Sequence, residues 1–377
     1  MKVVIIICAC IYLCRLLFML AGSIFENYKV GKLRQRLGDD KQTVSVVVPA
    51  RNEEDVIEEC INSIANSNYP KDKFEIIAVN DRSTDNTQEK LDNLKKHIPN
   101  LKVFQVDESI HHSNLKGKQG ALNYGIKQAK NDLILFTDAD CVVPPDWIKV
   151  ISQLYNSPNI GLVASYTMVE GSKLFDKIQS LEWILLCAMA SAGIGFGIPL
   201  GCYGNNMSVR KKNYEEIGGY ENLKFTTNED LSLLLNIHRA GHSVHYVCDI
   251  GSCIKTKPVH SFSDYISQHK RWSFGGLELG WIAPMFVITT LSIWVGFLFS
   301  LIIGNIPLAI GFLILRLLGD AVILFQPLFK LRQYKLIKYM PIALIFFMLF
   351  ELVLPIFLLD PKITWKDQTF KRNGKKN

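Results

Sequence analysis

DLILFTDADC, residues 132–141, closes a run of four apolar side chains with two carboxylates one residue apart, Asp138 and Asp140. A short apolar run with polar ends reads as a buried strand. Three similar runs precede it: TVSVVVP (43–49), FEIIAVN (74–80) and LKVFQV (101–106). Helix-like segments lie between them. One from about Glu53 sets Ile57, Cys60, Ile61 and Ile64 on one face, a polar one starts at Thr84, and another covers 118–129. Strands that alternate with helices imply right-handed crossovers and a mostly parallel, doubly wound, Rossmann-like α/β sheet. Ligands of such sheets bind at the carboxyl ends of the strands.

Those ends are polar and acidic here: PARNEE after the first strand, NDRSTD after the second, TDADC after the fourth. Neither GxGxxG nor GxxxxGK[ST] occurs, which disfavours a dinucleotide fold and a P-loop. Lys118, in KGKQGALN, lies nearby in sequence. Carboxylates repel phosphate, but Mg²⁺ or Mn²⁺ takes oxygen ligands and bridges one or two carboxylates to substrate phosphates. Asp138 and Asp140 are therefore expected to hold a divalent metal against a diphosphate. A bare DxD is also a common solvated turn, and it is the strand context that strengthens the metal reading.

Outside this region the chain turns apolar, and 49% of its 377 residues are hydrophobic. Residues 3–24 are apolar apart from Arg15, and further runs lie near 282–303, 306–326 and 341–359. Each reaches about 20 residues, which at ~1.5 Å per residue crosses a ~30 Å hydrocarbon core. The first run could be a signal peptide, but Lys29, Lys32, Arg34, Arg36 and Lys41 follow it, as expected on the cytoplasmic side of a retained anchor. The loop 330–338 is basic and should face the same side. The basic tail 362–377 would then need either a re-entrant last run, one containing Glu351 and Pro355, or an exception to the rule. The nine cysteines form no CxxC pair, so a zinc site or disulfide framework is not expected. The net charge of +7 resides mainly in the membrane flanks and tail, suggesting anionic lipid head groups rather than nucleic acid, for which no motif is present.

Other stretches carry two readings each. In TTNEDLSLLLNIHRAGH (226–242) the pair Glu229 and Asp230 opens a helix, where carboxylates also serve simply to complement the dipole. QHKRW (268–272) stands before the run at Trp281, and Arg271 with Trp272 would suit a membrane-interface anchor. Residues 180–206 are apolar and glycine-rich, fitting a membrane-surface or acceptor-cleft segment as well as a buried core helix. Arg316 and Asp320 are one helical turn apart in a span and read as an intrahelical pair.

Taken in order, VPARNEE, VNDRSTDNT, GKQGALNYGI, FTDADC, GNNMSVR, TNED and QHKRW resemble the motifs of the inverting family 2 glycosyltransferases. This GT-A group of membrane enzymes includes cellulose, chitin and hyaluronan synthases and ceramide glucosyltransferases. The resemblance covers about residues 44–272 and implies a role for each matching position. Arg51, Glu53 and Asp81 would hold the uracil and ribose of a UDP-sugar, Lys118 and Asp138 the nucleotide or donor sugar, and Asp140 the metal, with Asp138 beside it. Asp230 would be the general base with Glu229 next to it, and Gln268, Arg271 and Trp272 would meet the diphosphate and the acceptor. Asn228 departs from the family, which often has Thr there.

The implied layout is a membrane anchor at 1–25, a cytoplasmic GT-A domain at 42–262, an interfacial segment at 263–280, membrane helices at 281–360 and a basic tail at 361–377. Divalent metal assistance and a carboxylate base suit single displacement with inversion. A membrane portion this small favours transfer of one sugar to a lipid over a processive β-linked polysaccharide synthase, which usually needs more spans. A non-catalytic scaffold or sugar-nucleotide sensor is disfavoured because Asp138, Asp140 and Asp230 are all retained.

Overall fold

The computed structural model describes residues 1–35, 42–112, 114–357 and 359, together with the backbone of 362–365 and 368–371. The four expected strands form as β1 (Val44–Ala50), β2 (Phe74–Asp81), β3 (Leu101–Val106) and β4 (Leu133–Phe136). After them come β5 (Cys141–Val142), β6 (Ile160–Ser165), β7 (Thr167–Val169), β8 (Met207–Arg210), β9 (Ser243–Val247) and β10 (Ile254–Thr256). A short antiparallel pair, β11 (Lys362–Trp365) with β12 (Gln368–Lys371), lies in the tail, whose remaining residues fall outside the described set.

The main sheet has the order β3-β2-β1-β4-β8-β6-β9. It is parallel except for β8, which runs antiparallel to both β4 and β6. Strand order therefore reverses between β1 and β4, and their carboxyl ends flank a topological switch point. A second sheet, β5-β10-β7, sits beside the end of β4. The largely apolar character of β1, broken only by Ser45, follows from burial on both faces: Val46 and Val48 join one core, Val47 the other.

The helices are α1 (Lys2–Gln35), α2 (Ile57–Ala65), α3 (Thr87–Lys95), α4 (Lys118–Gln128), α5 (Trp147–Ser152), α6 (Leu174–Gly195) and α7 (Lys211–Glu216). Next come α8 (Gly219–Asn222), α9 (Glu229–Arg239), α10 (Phe262–Gly276), α11 (Ile282–Ile302), α12 (Ile306–Lys330) and α13 (Met340–Phe357). Ile57, Cys60, Ile61 and Ile64 of α2 are fully buried, as their spacing predicts. Two helices start three to four residues later than the pattern suggests, because their leading residues hold a neighbouring loop or cap. Asp85 accepts the N–H of Thr87 over 3.0 Å, while Glu53 and Glu54 donate their N–H groups to the side chains of Thr87 and Asp85.

Five helices among the described residues are long and apolar enough to cross a membrane: α1, α6, α11, α12 and the segment ending in α13. Helix α6 differs from the rest, with 89% of its apolar window buried inside the protein. Its residues pack under the main sheet on one side and against α1, α12 and α13 on the other. The crossing of α1 and α6 is very close: a Cβ on Gly22 would lie 2.1 Å from the carbonyl oxygen of Ala192. Small residues permit such approaches between apolar helices. Lys29 then donates to the carbonyl of Gly195 over 2.8 Å at the carboxyl end of α6. Past this crossing, the buried Glu26 of α1 accepts the N–H of Tyr246 over 2.9 Å and meets His245 Nδ1 at 3.0 Å, satisfying the open edge of β9. Helix α1 is thus part of the α/β domain's framework, beyond any role as an anchor.

Arg316 pairs with Asp320 as expected, and its Nη2 also lies 2.9 Å from Glu351 of α13. Trp294 Nε1 donates to Glu351 over 3.0 Å. The charge that made the last run look ill-suited to a membrane is therefore partnered on two sides.

Candidate active site

Each acidic strand end reaches the cleft through a tight loop. Asn52 after β1 and Arg82 after β2 both have left-handed backbones, with φ of 54° and 58°. For non-glycine residues this conformation is strained and persists only where neighbours hold it. The two loops hold each other: Asn52 N–H donates to Ser83 Oγ over 2.9 Å, and Thr84 N–H donates to Asn52 Oδ1 over 2.8 Å. Glu54 accepts the N–H of Asn86 over 3.0 Å.

All of the expected site residues line one cleft of about 360 Å³: Arg51, Glu53, Asp81, Lys118, Asp138, Asp140, Glu229, Asp230, Gln268, Arg271 and Trp272. At one side sits Asp81, almost fully buried, with His111 Nε2 at 2.7 Å and Arg82 Nε at 2.8 Å from Oδ1. Burial alone would raise its pKa, but the bonds to His111 and Arg82 outweigh it and hold the carboxyl below its ordinary value.

In the centre, Lys118 Nζ lies 2.7 Å from Asp138 and 3.1 Å from Glu229. Burial works against this ammonium, yet Asp138 and Glu229 more than offset it and raise its pKa. Lys118 is the first residue of α4 and Glu229 the first of α9, so two helix starts and the end of β4 converge here. Asp140 accepts from Thr256 Oγ1 of β10 over 3.2 Å, which joins the second sheet to the acidic strand end.

Asp230 is the adjacent carboxylate. Burial and the neighbouring Glu229 charge push it up to about 6, against the opposing pull of Lys118 and two backbone N–H groups. Carboxylates raised this far fit proton transfer near neutral pH. Asn228, just before α9, touches α10: with Nδ2 turned toward the carbonyls, it donates to Arg271 O over 3.3 Å and Thr227 O over 3.0 Å.

A wall of rings, of which the sequence singled out only Trp272, faces this polar floor. Trp183 of α6 stacks on Tyr203 with centroids 4.2 Å apart, and Trp272 meets Trp183 edge-on at 5.5 Å. Phe225 also lines the cleft. Both Trp183 and Tyr203 lie inside the apolar stretch 180–206, where a membrane-surface segment and a core helix could not be told apart. The structure gives that stretch both a buried core and a cleft-lining edge.

Among the described residues no cluster of three or more His, Cys, Asp or Glu side chains forms a closed metal cage. Asp138 and Asp140 are instead two hard oxygen donors at the cleft floor. Such a donor set would suit a Mg²⁺ or Mn²⁺ ion, with Asp138 and Asp140 as the residues that would hold it.

A doubly wound sheet with an acidic cleft at its switch point is the GT-A arrangement. The chain belongs to the family 2 glycosyltransferases: it matches Glycosyl transferase family group 2 over residues 133–359 and Glycosyl transferase family 2 over residues 45–218. It is 27% identical over 237 residues to a beta-monoglucosyldiacylglycerol synthase of Synechocystis sp., covering 62% of this chain and 48% of that protein. It is also 27% identical over 271 residues to a poly-beta-1,6-N-acetyl-D-glucosamine synthase of Staphylococcus aureus, covering 70% and 63%. The chain spans about half the length of the first of the curated relatives it matches. Among solved structures, a mannosyltransferase of Pyrobaculum calidifontis in complex with GDP-Man and Mn²⁺ shares the fold, with a TM-score of 0.52 and 18% identity over 91% of this chain and 99% of that one.

Proposed function

We propose that this protein moves a sugar from a UDP-sugar to a membrane-associated lipid by metal-assisted single displacement, inverting the anomeric carbon. The observation that carries the reading is the meeting, in one cleft, of a buried carboxylate raised to about 6 with the Asp138–Lys118–Glu229 bridge. Asp230 is the base. It takes the proton of the attacking hydroxyl, an effect typically worth a factor of ~10²–10⁴. Arg51, Glu53 and Asp81 hold the uridine, and the loops locked by Asn52 and Ser83 keep them in place before the donor arrives. Lys118 and Asp138 face the diphosphate and donor sugar, and the ammonium is positioned to stabilise charge as the sugar leaves. Asp140, with Asp138, would hold a divalent cation, which supplies further neutralisation of the leaving diphosphate. Gln268, Arg271 and Trp272 meet the diphosphate and the acceptor. One base opposite the leaving group turns an α-linked donor into a β-linked product.

The lipid acceptor is supported by the ring-lined wall of Trp183, Tyr203 and Trp272 and by the membrane-length helices packed behind α6. The synthase named for glucosyldiacylglycerol fits the same reading. An alternative, processive β-linked polymer synthesis, is favoured by the similarity to the poly-N-acetylglucosamine synthase. A cytoplasmic catalytic domain is supported by Lys29, Lys32 and Arg34 at the domain end of α1, and by Lys330 Nζ donating to Asn27 Oδ1 over 2.5 Å. That contact sets the basic loop before α13 at the same end, where the cationic residues suit anionic lipid head groups.

The test is nucleoside diphosphate release by the purified protein with Mn²⁺ or Mg²⁺, across several UDP-sugars and GDP-mannose, with and without a lipid extract. Lipid-stimulated release from one UDP-sugar is expected. Turnover of GDP-mannose alone would overturn the donor assignment, and release indifferent to lipid would overturn the acceptor assignment.

A further inference from the structure

Helix α10 brings Gln268, Arg271 and Trp272 to the cleft, so whatever fixes α10 sets where they stand. His269 lies on the same helix but points elsewhere. Its ring is almost fully buried, with Nε2 3.0 Å from Glu182 Oε1 of α6 and Nδ1 2.8 Å from the carbonyl of Tyr265. The same Glu182 oxygen accepts the hydroxyl of Tyr265 over 2.6 Å. Burial and Glu182 push the Tyr265 hydroxyl far up, so it stays a donor. A carbonyl only accepts, so Nδ1 carries a proton where it meets Tyr265.

Around this triad the packing is aromatic. Phe350 lies 4.9 Å and Trp272 5.0 Å from the His269 ring, while Phe175 and Phe346 flank Tyr265 at 5.3 and 5.7 Å. Buried polar groups in such surroundings are costly unless paired, and the pair is correspondingly specific in geometry. Glu182 is followed in the chain by Trp183, the ring that meets Trp272. One turn of α6 thus grips α10 twice, by the polar contact at His269 and by ring contact at Trp272.

We propose that Glu182 and His269 are a positioning pair that sets α10, and with it Trp272, against the acceptor end of the cleft. This rests on the acceptor role proposed above for α10. Neither residue touches the polar floor of the cleft. The pair acts through Trp272, Gln268 and Arg271.

The test uses the full chain in lipid nanodiscs, labelled with 5-fluorotryptophan, with Trp272→Phe assigning the resonance. His269→Ala and Glu182→Ala are each expected to shift the Trp272 signal, and the double variant to shift it no further than the larger single change. Glu182→Gln, which keeps an oxygen for both donors, should return the signal most of the way. UDP affinity in Mn²⁺ should stay within about 3-fold of wild type, while lipid-dependent turnover falls about 10-fold in either single variant. An unmoved Trp272 signal, or additive shifts from the two variants, would overturn the pair. The spectral arm needs no acceptor, so an error in the acceptor assignment would show as absent lipid-dependent turnover in the wild type with the Trp272 shifts intact.

Discussion

The backbone N–H of Gly204 donates to Oδ2 of Asp230 over 2.8 Å, while the N–H of Leu231 donates to Oδ1 over 2.7 Å. Both oxygens are oriented by main chain, and each keeps a lone pair for an incoming hydroxyl. Asp230→Asn preserves the shape of this side chain but removes its capacity to take a proton. Turnover should fall by a factor of ~10²–10⁴, with UDP affinity little changed; UDP release and a UDP titration measure the two. Wild-type turnover in this variant would remove Asp230 from the role of base.

The acidity of Asp230 gives a pH test. A base must be ionised, so kcat/KM should rise tenfold per pH unit below about 6 and level off above it. Burial is the main cause of the raised value and the Glu229 charge the next. Glu229→Gln removes that second cause, which eases ionisation and should move the acidic limb to lower pH. Movement to higher pH would show that Glu229 does not act on Asp230 in this way.

Much of this site was legible in the chain itself, for reasons particular to each element. The runs 43–49, 74–80, 101–106 and 132–138 read as strands because they are short and largely apolar; β1, β2 and β4 are buried along nearly their whole length, whereas β3, with Lys102 and Gln105, is buried mainly at its two ends. Their polar ends mark the place of the cleft. Strand β8 was not read, since four residues, Met207–Arg210, carry too short a pattern, and its antiparallel insertion is set by partners distant in sequence. The stretch 180–206 stayed ambiguous because a helix buried between a sheet and other helices has the same composition as one in lipid. Trp183, Tyr203, His111 and the Glu182–His269 contact depend on such long-range packing and left no local signal.

Lys118 bridges Asp138 and Glu229. Lys118→Ala leaves two partly buried carboxylates without it, at a cost on the order of 1–3 kcal/mol in stability, and removes a cation facing the diphosphate. Melting temperature should fall and UDP affinity should weaken at least about 10-fold, both measurable on the purified protein. Unchanged UDP affinity would place the diphosphate away from this ammonium.

Asp140→Asn separates metal-dependent binding from direct nucleotide contacts. The stimulation of UDP binding by Mn²⁺ should largely disappear, while the weak affinity measured in EDTA stays close to wild type. Equal Mn²⁺ stimulation in both proteins would exclude Asp140 as a metal ligand.

The crossing of α1 with α6 can be tested without reference to catalysis. Gly22→Val drives a side chain into the carbonyl of Ala192, and overpacking of this kind costs about 1–3 kcal/mol. Thermal unfolding in detergent should shift down, whereas Gly31→Val, at a position with nothing within 4 Å, should leave it nearly unchanged. Equal melting of the two variants would mean that α1 does not dock on the catalytic domain as described.

The most direct measurement of the central claim is the identity and anomeric configuration of the product, by mass spectrometry and NMR after reaction of the purified protein with its preferred UDP-sugar and a lipid extract. A lipid heavier by one sugar, joined through a β linkage, is the expected result. A high-mass ladder would move the protein to the processive synthases, and an α-linked product would contradict single displacement with Asp230 as its base.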